Sequence, residues 1–144
     1  MTKPPPVTGW PGDPGRPTLS GAHIAPLSSK VASRLLPRLG LSLRGQIQLA
    51  LAAHDDDGLV VGVLAAAPLT ASKTTVWLAV RPERRRLKIA TDLFDTLTID
   101  YRTSIHDELV FQHGADCPIA ASFIQSTGLP ARRLTRNQTT LTVR

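Results

Sequence analysis

Five cations crowd one short turn in the middle of the chain: Arg81, Arg84, Arg85, Arg86 and Lys88. The apolar segment Val76–Val80 comes directly before the turn and predicts a buried strand, which ends at Pro82 because proline has no backbone N–H to donate. After the turn, apolar residues recur every three or four positions, which predicts a helix with one apolar stripe. The stripe consists of Ala90, Leu93, Phe94, Leu97 and Tyr101. Off the stripe, Asp92, Asp95 and Thr96 are expected to face water.

The place of these cations indicates an anionic ligand. A helix N-terminus carries partial positive charge and unpaired N–H groups, so it favours acidic side chains over arginines. Cations at a helix start are explained when an anion, above all a phosphate group, binds among them. A solvated basic turn is the alternative, but the order of strand, turn and helix is a recurring phosphate site and favours the ligand.

Residues 80–94, V-R-P-E-R-R-R-L-K-I-A-T-D-L-F, resemble the acyl-CoA-binding signature of the GNAT N-acyltransferase superfamily. In that signature a strand and a Val-x-Pro precede Arg/Gln-x-x-Gly-x-Gly/Ala at the start of a helix. Arg85 falls on the first position and Ala90 on the last, whereas Lys88 stands where glycine is usual. A positive φ there would cost a lysine about 1 kcal/mol or more.

The resemblance implies how the chain holds acetyl-CoA. Backbone N–H groups of the turn would bind the pyrophosphate, the preceding strand would pair with the pantetheine arm, and one of its N–H groups would polarise the thioester carbonyl. Cys117 stands where the family often has an asparagine that pairs with the pantetheine. The residues implied in cofactor binding are Leu78, Ala79, Val80, Arg85, Arg86, Leu87, Lys88, Ile89, Ala90, Thr91 and Cys117.

The composition is that of one globular domain with an excess of positive charge. The chain has 144 residues, 42% of them hydrophobic, and a net charge of +6, which suits a single core. Residues 1–18 hold six prolines and three glycines, and we expect them to form an extended or disordered arm before a domain at 19–144. Arginine outnumbers lysine by 13 to 4, which is consistent with an anionic partner and equally with a GC-rich genome.

Other classes of site receive little support. The single Cys117 excludes an internal disulfide and a Cys-rich zinc site, and scattered histidines predict no metal site. No charged-then-apolar leader is visible, and the longest apolar run, Leu59–Leu69, is too short to cross a bilayer. We therefore expect a soluble cytoplasmic protein.

The remaining elements predict a mixed α/β fold. A short strand at Ala22–Leu27 precedes a helix, and Gln46–His54 alternates as a half-buried strand, with Gln46, Gln48 and His54 on its outer side. Asp55–Gly58 is a hairpin turn, and an apolar strand at Leu59–Ala67 follows it. The predicted order is β-α-β-β-β-α-β-α-β-β, which is also the GNAT order and implies a V-shaped splay between strands 4 and 5.

Acetyl transfer requires proton transfer, for which three candidates follow from the sequence. The candidate bases are His113, Asp116 and Glu83, of which His113 has the pKa range best suited to neutral pH and Glu83 has arginine neighbours with which to pair. By resemblance, a tyrosine on the next helix often protonates the leaving thiolate, but Ile124 occupies its place.

Three functions follow from these patterns. The first is an N-acetyltransferase that moves an acetyl group from acetyl-CoA to a primary amine on a small molecule or a protein. The second is a GNAT-like binding or regulatory protein without catalysis, to which the departures at Lys88, Cys117 and Ile124 point. The third is a nucleic-acid-binding protein, although six aromatics provide few stacking platforms. A homodimer through the last strands or the arm remains open.

Overall fold

A seven-stranded sheet organises the part of the chain that the computed structural model describes, residues 19–38, 47–81, 83, 88–113 and 118–143. Its strand order is β1-β2-β3-β4-β5-β7-β6, with β4 and β5 parallel and every other neighbouring pair antiparallel. The elements are β1 His23–Pro26, α1 Ser29–Arg38, β2 Leu49–His54, β3 Val60–Pro68, β4 Lys73–Val80, α2 Ile89–Asp95, β5 Glu108–Gln112, α3 Pro118–Ser126, β6 Ala131–Thr135 and β7 Gln138–Thr142. This order confirms the predicted α/β class and sequence of elements.

The sheet has a core on each face because its central strands are buried on both sides. On one face, Ala32 of α1 packs with Val63, Ala65 and Trp77, and we call this the α1 face. On the other, the apolar stripe of α2 lies in one core with side chains of β1, β2, β3, β4, β5 and β7, and we call this the α2 face. Successive strand residues alternate between these two cores.

The second strand is more buried than its alternation predicts. Leu51 and Ala53 lie in the α2-face core as expected, but Ala50 and Ala52 are buried as well. The prediction of a half-buried strand is therefore wrong. Alanine is small enough for α1 to pack closely over this side, so an apparently outer position is covered without a large side chain.

The helix after the basic turn begins as an α-helix, as predicted, and then continues as a wider π-helix. Its α-helical part ends at Asp95, the segment Thr96–Asp100 forms π-helical turns, and Arg102–Ser104 is a 3₁₀ turn. The predicted stripe packs against the core as expected. The described helices include none that is long and apolar enough to cross a membrane.

Two side chains of this helix that were predicted to face water are buried. Asp92 is 5% exposed and Thr96 is 2% exposed. The Asp92 carboxylate accepts hydrogen bonds from the backbone N–H groups of Leu19 and Ser20, both at 2.8 Å, and from the Ser20 hydroxyl. A segment distant in sequence therefore covers this side of the helix, which the helical period alone does not reveal.

Candidate functional site

The parallel pair at the centre of the sheet stops pairing where β5 ends, while β4 continues. The β4–β5 ladder runs from Lys73 paired with Glu108 to Trp77 paired with Gln112. The β3–β4 ladder continues further, to Val80 opposite Gly62. The last three residues of β4 therefore extend past the end of β5, and we call this place the split. The sequence predicts the V-shaped splay between strands 4 and 5 at this place.

Three predicted pantetheine-binding residues form the β4 side of the split. Leu78 and Val80 pack towards the α2 face, whereas Ala79 belongs to the α1-face core. Because all three pair with β3 on one side, the other edge of their backbone is directed towards the split. An extended chain with amide groups, such as pantetheine, is the kind of ligand that such a strand edge binds.

The start of the basic turn is tied to β3. The backbone N–H of Arg81 donates to the carbonyl of Val61 at 2.9 Å, and its Nε donates to the carbonyl of Val60 at 2.8 Å. Glu83 forms an ion pair with Arg81 at 3.9 Å, as its arginine neighbours predict. This carboxylate is 60% exposed, so the pair itself contributes little stability.

Lys88 ends the turn in a left-handed conformation. Its φ is +68° and its ψ is 16°, and it is the residue immediately before α2. Its carbonyl accepts the N–H of Asp92 at 3.0 Å, which begins the helix. This position therefore has the backbone conformation for which glycine is usual, although a lysine is present. Ile89 is buried behind it, and Ala90 and Thr91 are half-buried.

We expect Lys88→Gly to stabilise the fold by about 0.5–1 kcal/mol, because relief of left-handed strain outweighs the greater unfolded-state entropy of glycine. Urea unfolding measures the change. Arg34→Gly on the exposed surface in the middle of α1 is the control and should destabilise the protein by about 1 kcal/mol. Equal destabilisation by both changes would show that the conformation of Lys88 is not strained.

Gly62 lets α2 approach the sheet beside the split, and no sequence pattern singled it out. A Cβ atom at this position would lie 2.9 Å from Cγ2 of Ile89 and 3.1 Å from Cδ1 of Leu93. The β-branched Ile89 has little freedom to move its Cγ2 away. The absence of a side chain at Gly62 therefore sets how closely the start of α2 lies to the end of β4.

We expect Gly62→Val to destabilise the fold by about 2 kcal/mol, because overpacking of a close contact typically costs 1–3 kcal/mol. Urea unfolding is again the measurement. A useful control is Gly21→Ala at an open position, where only the positive φ opposes the change. An unaltered free energy of unfolding in Gly62→Val would mean that α2 shifts without cost.

His113 lies at the β5 side of the split, one residue past the last β4–β5 pair. It is half-buried, its Nε2 is 2.9 Å from the Thr139 hydroxyl, and its backbone N–H donates to Asn137 at 2.9 Å. Thr139 pairs with Phe111 on the α2 face, so the imidazole is held on that face. The hydrogen bond to Thr139 orients the ring and was not predicted.

The other predicted site residues fall into two groups, those outside the described residues and those whose position is described. Arg85, Arg86, Leu87, Asp116 and Cys117 lie outside the described residues. Ile124, at the position of the family's tyrosine, is 8% exposed and packs in the α2-face core. The described residues contain no group of three or more His, Cys, Asp or Glu side chains that could hold a metal.

A shallow groove separates α2 from α3 on the α2 face. It has a volume of about 250 Å³, and its lining includes Phe94 and Phe123, whose ring centroids are 5.6 Å apart. Its walls also include Thr91, Asp95, Ser126 and Thr127. Thr91, three residues after Lys88, is one of its lining residues, so the groove reaches the first turn of α2.

Comparison with solved structures identifies the fold. The chain is similar to a Klebsiella pneumoniae protein assigned as an acyl-CoA N-acyltransferase, with a TM-score of 0.65, 14% identity, and 87% of this chain and 99% of that chain covered. A Salmonella typhimurium protein assigned as an acetyltransferase and solved with acetyl-CoA matches with a TM-score of 0.63, 10% identity, and 85% and 94% covered. The ribosomal-protein-S18-alanine N-acetyltransferase of Escherichia coli matches with a TM-score of 0.63, 13% identity, and the same coverage.

These matches show that the chain has the fold of the GNAT N-acyltransferases. The resemblance that the sequence signature indicated is confirmed at the level of the fold. No protein-family model matches the chain, and no curated protein matches it in sequence.

Proposed function

We propose that the protein is an N-acetyltransferase that transfers an acetyl group from acetyl-CoA to a primary amine. The split between β4 and β5 is the observation that carries this proposal, because it exposes a strand edge beside a basic turn within a GNAT fold. Fold neighbours were solved with acetyl-CoA, or with CoA and an amine substrate, which supports the same class of reaction. Residues 19–144 would form the acyl-CoA-binding domain, and residues 1–18 an arm outside it.

The residues present fit this co-substrate. The backbone of Leu78–Val80 would pair with the pantetheine amides, and an N–H of this segment would polarise the thioester carbonyl. Arg85–Thr91 would surround the pyrophosphate, with Lys88 adding a positive charge. Cys117 would lie beside the pantetheine. Acetyl-CoA supplies an activated acyl group with a thiolate as its leaving group.

The reaction balances with one proton transfer. The amine nitrogen attacks the carbonyl carbon, the carbon–sulfur bond breaks as the carbon–nitrogen bond forms, the amine loses a proton and the sulfur of CoA gains one. We propose that His113 carries this proton transfer, because it flanks the split and Thr139 orients its ring. Glu83 is a weaker candidate base because its carboxylate lies at the exposed surface beside Arg81.

Titration calorimetry with acetyl-CoA at low and high salt tests the proposal. We expect one-to-one binding that weakens as salt increases, since the turn contributes charge to the phosphate site. If no binding heat were detected at low salt or at high salt, acetyl-CoA would be excluded as the co-substrate.

A second candidate, a binding protein without catalysis, is favoured by one observation. The side chain of Ile124 is packed in the core and offers no proton where the family often has a tyrosine. This candidate predicts that acetyl-CoA binds but that no amine releases free CoA thiol from it. Release of thiol with any primary amine would exclude it.

A further inference from the structure

Four uncharged polar side chains form a row on the α1 face, where β4, β5 and β7 lie side by side. We call them the polar row: Thr75, Gln112, Gln138 and Thr140. The sheet register places them together, since Gln112 pairs with Gln138, and Val110 pairs with both Thr75 and Thr140. Their side chains alternate with those of the α2-face core, which puts them on the α1 face.

Three members of the row are joined by hydrogen bonds. Gln138 Nε2 donates to Gln112 Oε1 at 3.3 Å, and Gln112 Nε2 donates to the Thr75 hydroxyl at 3.0 Å. The Thr75 hydroxyl in turn donates to the Val110 carbonyl at 3.4 Å. Each glutamine keeps a second N–H, and Gln138 keeps its carbonyl oxygen, so the row can both donate to a ligand and accept from it.

Thr140 breaks this pattern because its hydroxyl has no partner. The residue is 4% exposed, and its Oγ1 is the one buried side-chain polar atom in the described part of the chain that makes no hydrogen bond. A buried hydroxyl without a partner lowers the stability of the fold, and native structures keep few of them. Such an atom at the end of a half-exposed polar row indicates that a ligand supplies the missing bond.

The row lies at the base of the split. Gln112 is opposite Trp77 in the last β4–β5 pair, so the row borders the place where the acyl group would lie. The basic turn leads into α2 on the other face of the sheet. An acceptor would therefore lie over the α1 face and extend its amine nitrogen into the split, where the thioester and His113 would meet it.

We propose that the polar row binds the acceptor substrate through a neutral amide group next to its amine, as in an aminoacyl amide or a peptide. This inference rests on the proposed acetyl transfer. An amide carries both a donor and an acceptor, which matches the row, and it brings no charge into a site whose four members are uncharged. A carboxylate offers acceptors alone; the exposed Arg132, opposite Thr140 on β6, and Lys73, two residues before Thr75 and paired with Glu108, are nearby cations that would favour it.

The test compares three small amines on the CoA-saturated protein, in which no acetyl group can be transferred. Alaninamide, alanine and ethylamine carry a carboxamide, a carboxylate and neither group, respectively. Heteronuclear NMR titration gives their dissociation constants for the wild type, for Thr140→Val and for the control Thr96→Val. In the control the lost hydroxyl bonds only the helix carbonyl of Asp92.

We expect alaninamide to bind more tightly than the other two amines. Thr140→Val should weaken alaninamide by about three- to tenfold, the value of one neutral hydrogen bond, with ethylamine unaffected. Thr96→Val should leave all three constants unchanged. A tetrapeptide amide that binds more tightly than alaninamide would identify a polypeptide as the source of the amide, and equal affinity would identify a small molecule.

Three results would overturn the inference: tighter binding of alanine, equal binding of alaninamide to wild type and Thr140→Val, or no binding of any amine. Urea unfolding of Thr140→Val checks the fold independently, and its stability should be unchanged or increased because an unsatisfied hydroxyl is removed. Failure of CoA itself to saturate the protein, observed before any amine is added, would instead overturn the proposed function.

Discussion

We expect the double variant Arg85→Ala with Arg86→Ala to bind acetyl-CoA about 150-fold or more weakly than the wild type, since each of the two lost charged hydrogen bonds typically contributes about 1.5–3 kcal/mol. The prediction rests on where the two arginines stand in the sequence. They lie between Val80, which ends β4 at the split, and Lys88, which precedes α2 in the left-handed conformation.

A matched control separates the turn from the overall charge. Arg132→Ala with Arg133→Ala removes the same charge from β6, where both residues are exposed, and should leave the affinity nearly unchanged. Calorimetry at low and high salt measures both variants. If the turn variant kept the affinity of the wild type, the phosphates would not bind there. A nucleic-acid-binding protein would instead show a shallower salt dependence of nucleic-acid binding in the turn variant.

His113→Ala is expected to lower kcat by about 100-fold or more, the lower end of what a positioned proton-transfer group contributes. The affinity for acetyl-CoA should stay close to that of the wild type, because the proposed phosphate site is on the other side of the split. Release of CoA thiol in the presence of saturating amine measures kcat, and calorimetry measures the affinity.

Two further variants show whether the imidazole itself is responsible. Thr139→Val removes the hydroxyl that orients the ring and should lower kcat by a smaller factor, with the fold retained. Glu83→Ala removes an exposed carboxylate and should leave kcat nearly unchanged. A large loss in Glu83→Ala together with an active His113→Ala variant would assign the proton transfer to the turn.

Local sequence patterns were sufficient for the order of elements and for the position of the turn. The apolar strand at Val76–Val80, the cations after it and the apolar stripe of α2 each depend on residues near one another in the chain. The hairpin turn at Asp55–Gly58 is also local, since Gly58 adopts a φ of +83° and Asp55 accepts the N–H of Asp57. Such features follow from backbone preferences and periodicity, so a single sequence reveals them.

Burial, close packing and hydrogen-bond partners were decided by the tertiary structure alone, because they depend on contacts between distant segments. The helical period predicts that Asp92 faces water. It is buried because the backbone N–H groups of Leu19 and Ser20, more than seventy positions earlier, donate hydrogen bonds to its carboxylate. In the sequence Gly62 is one residue of an apolar strand, and nothing shows that α2 packs closely over it. Thr140 gains its meaning only when the register places it beside Val110, with its hydroxyl unsatisfied. Periodicity describes one element at a time, whereas burial and hydrogen-bond partners are set by whichever element packs against it.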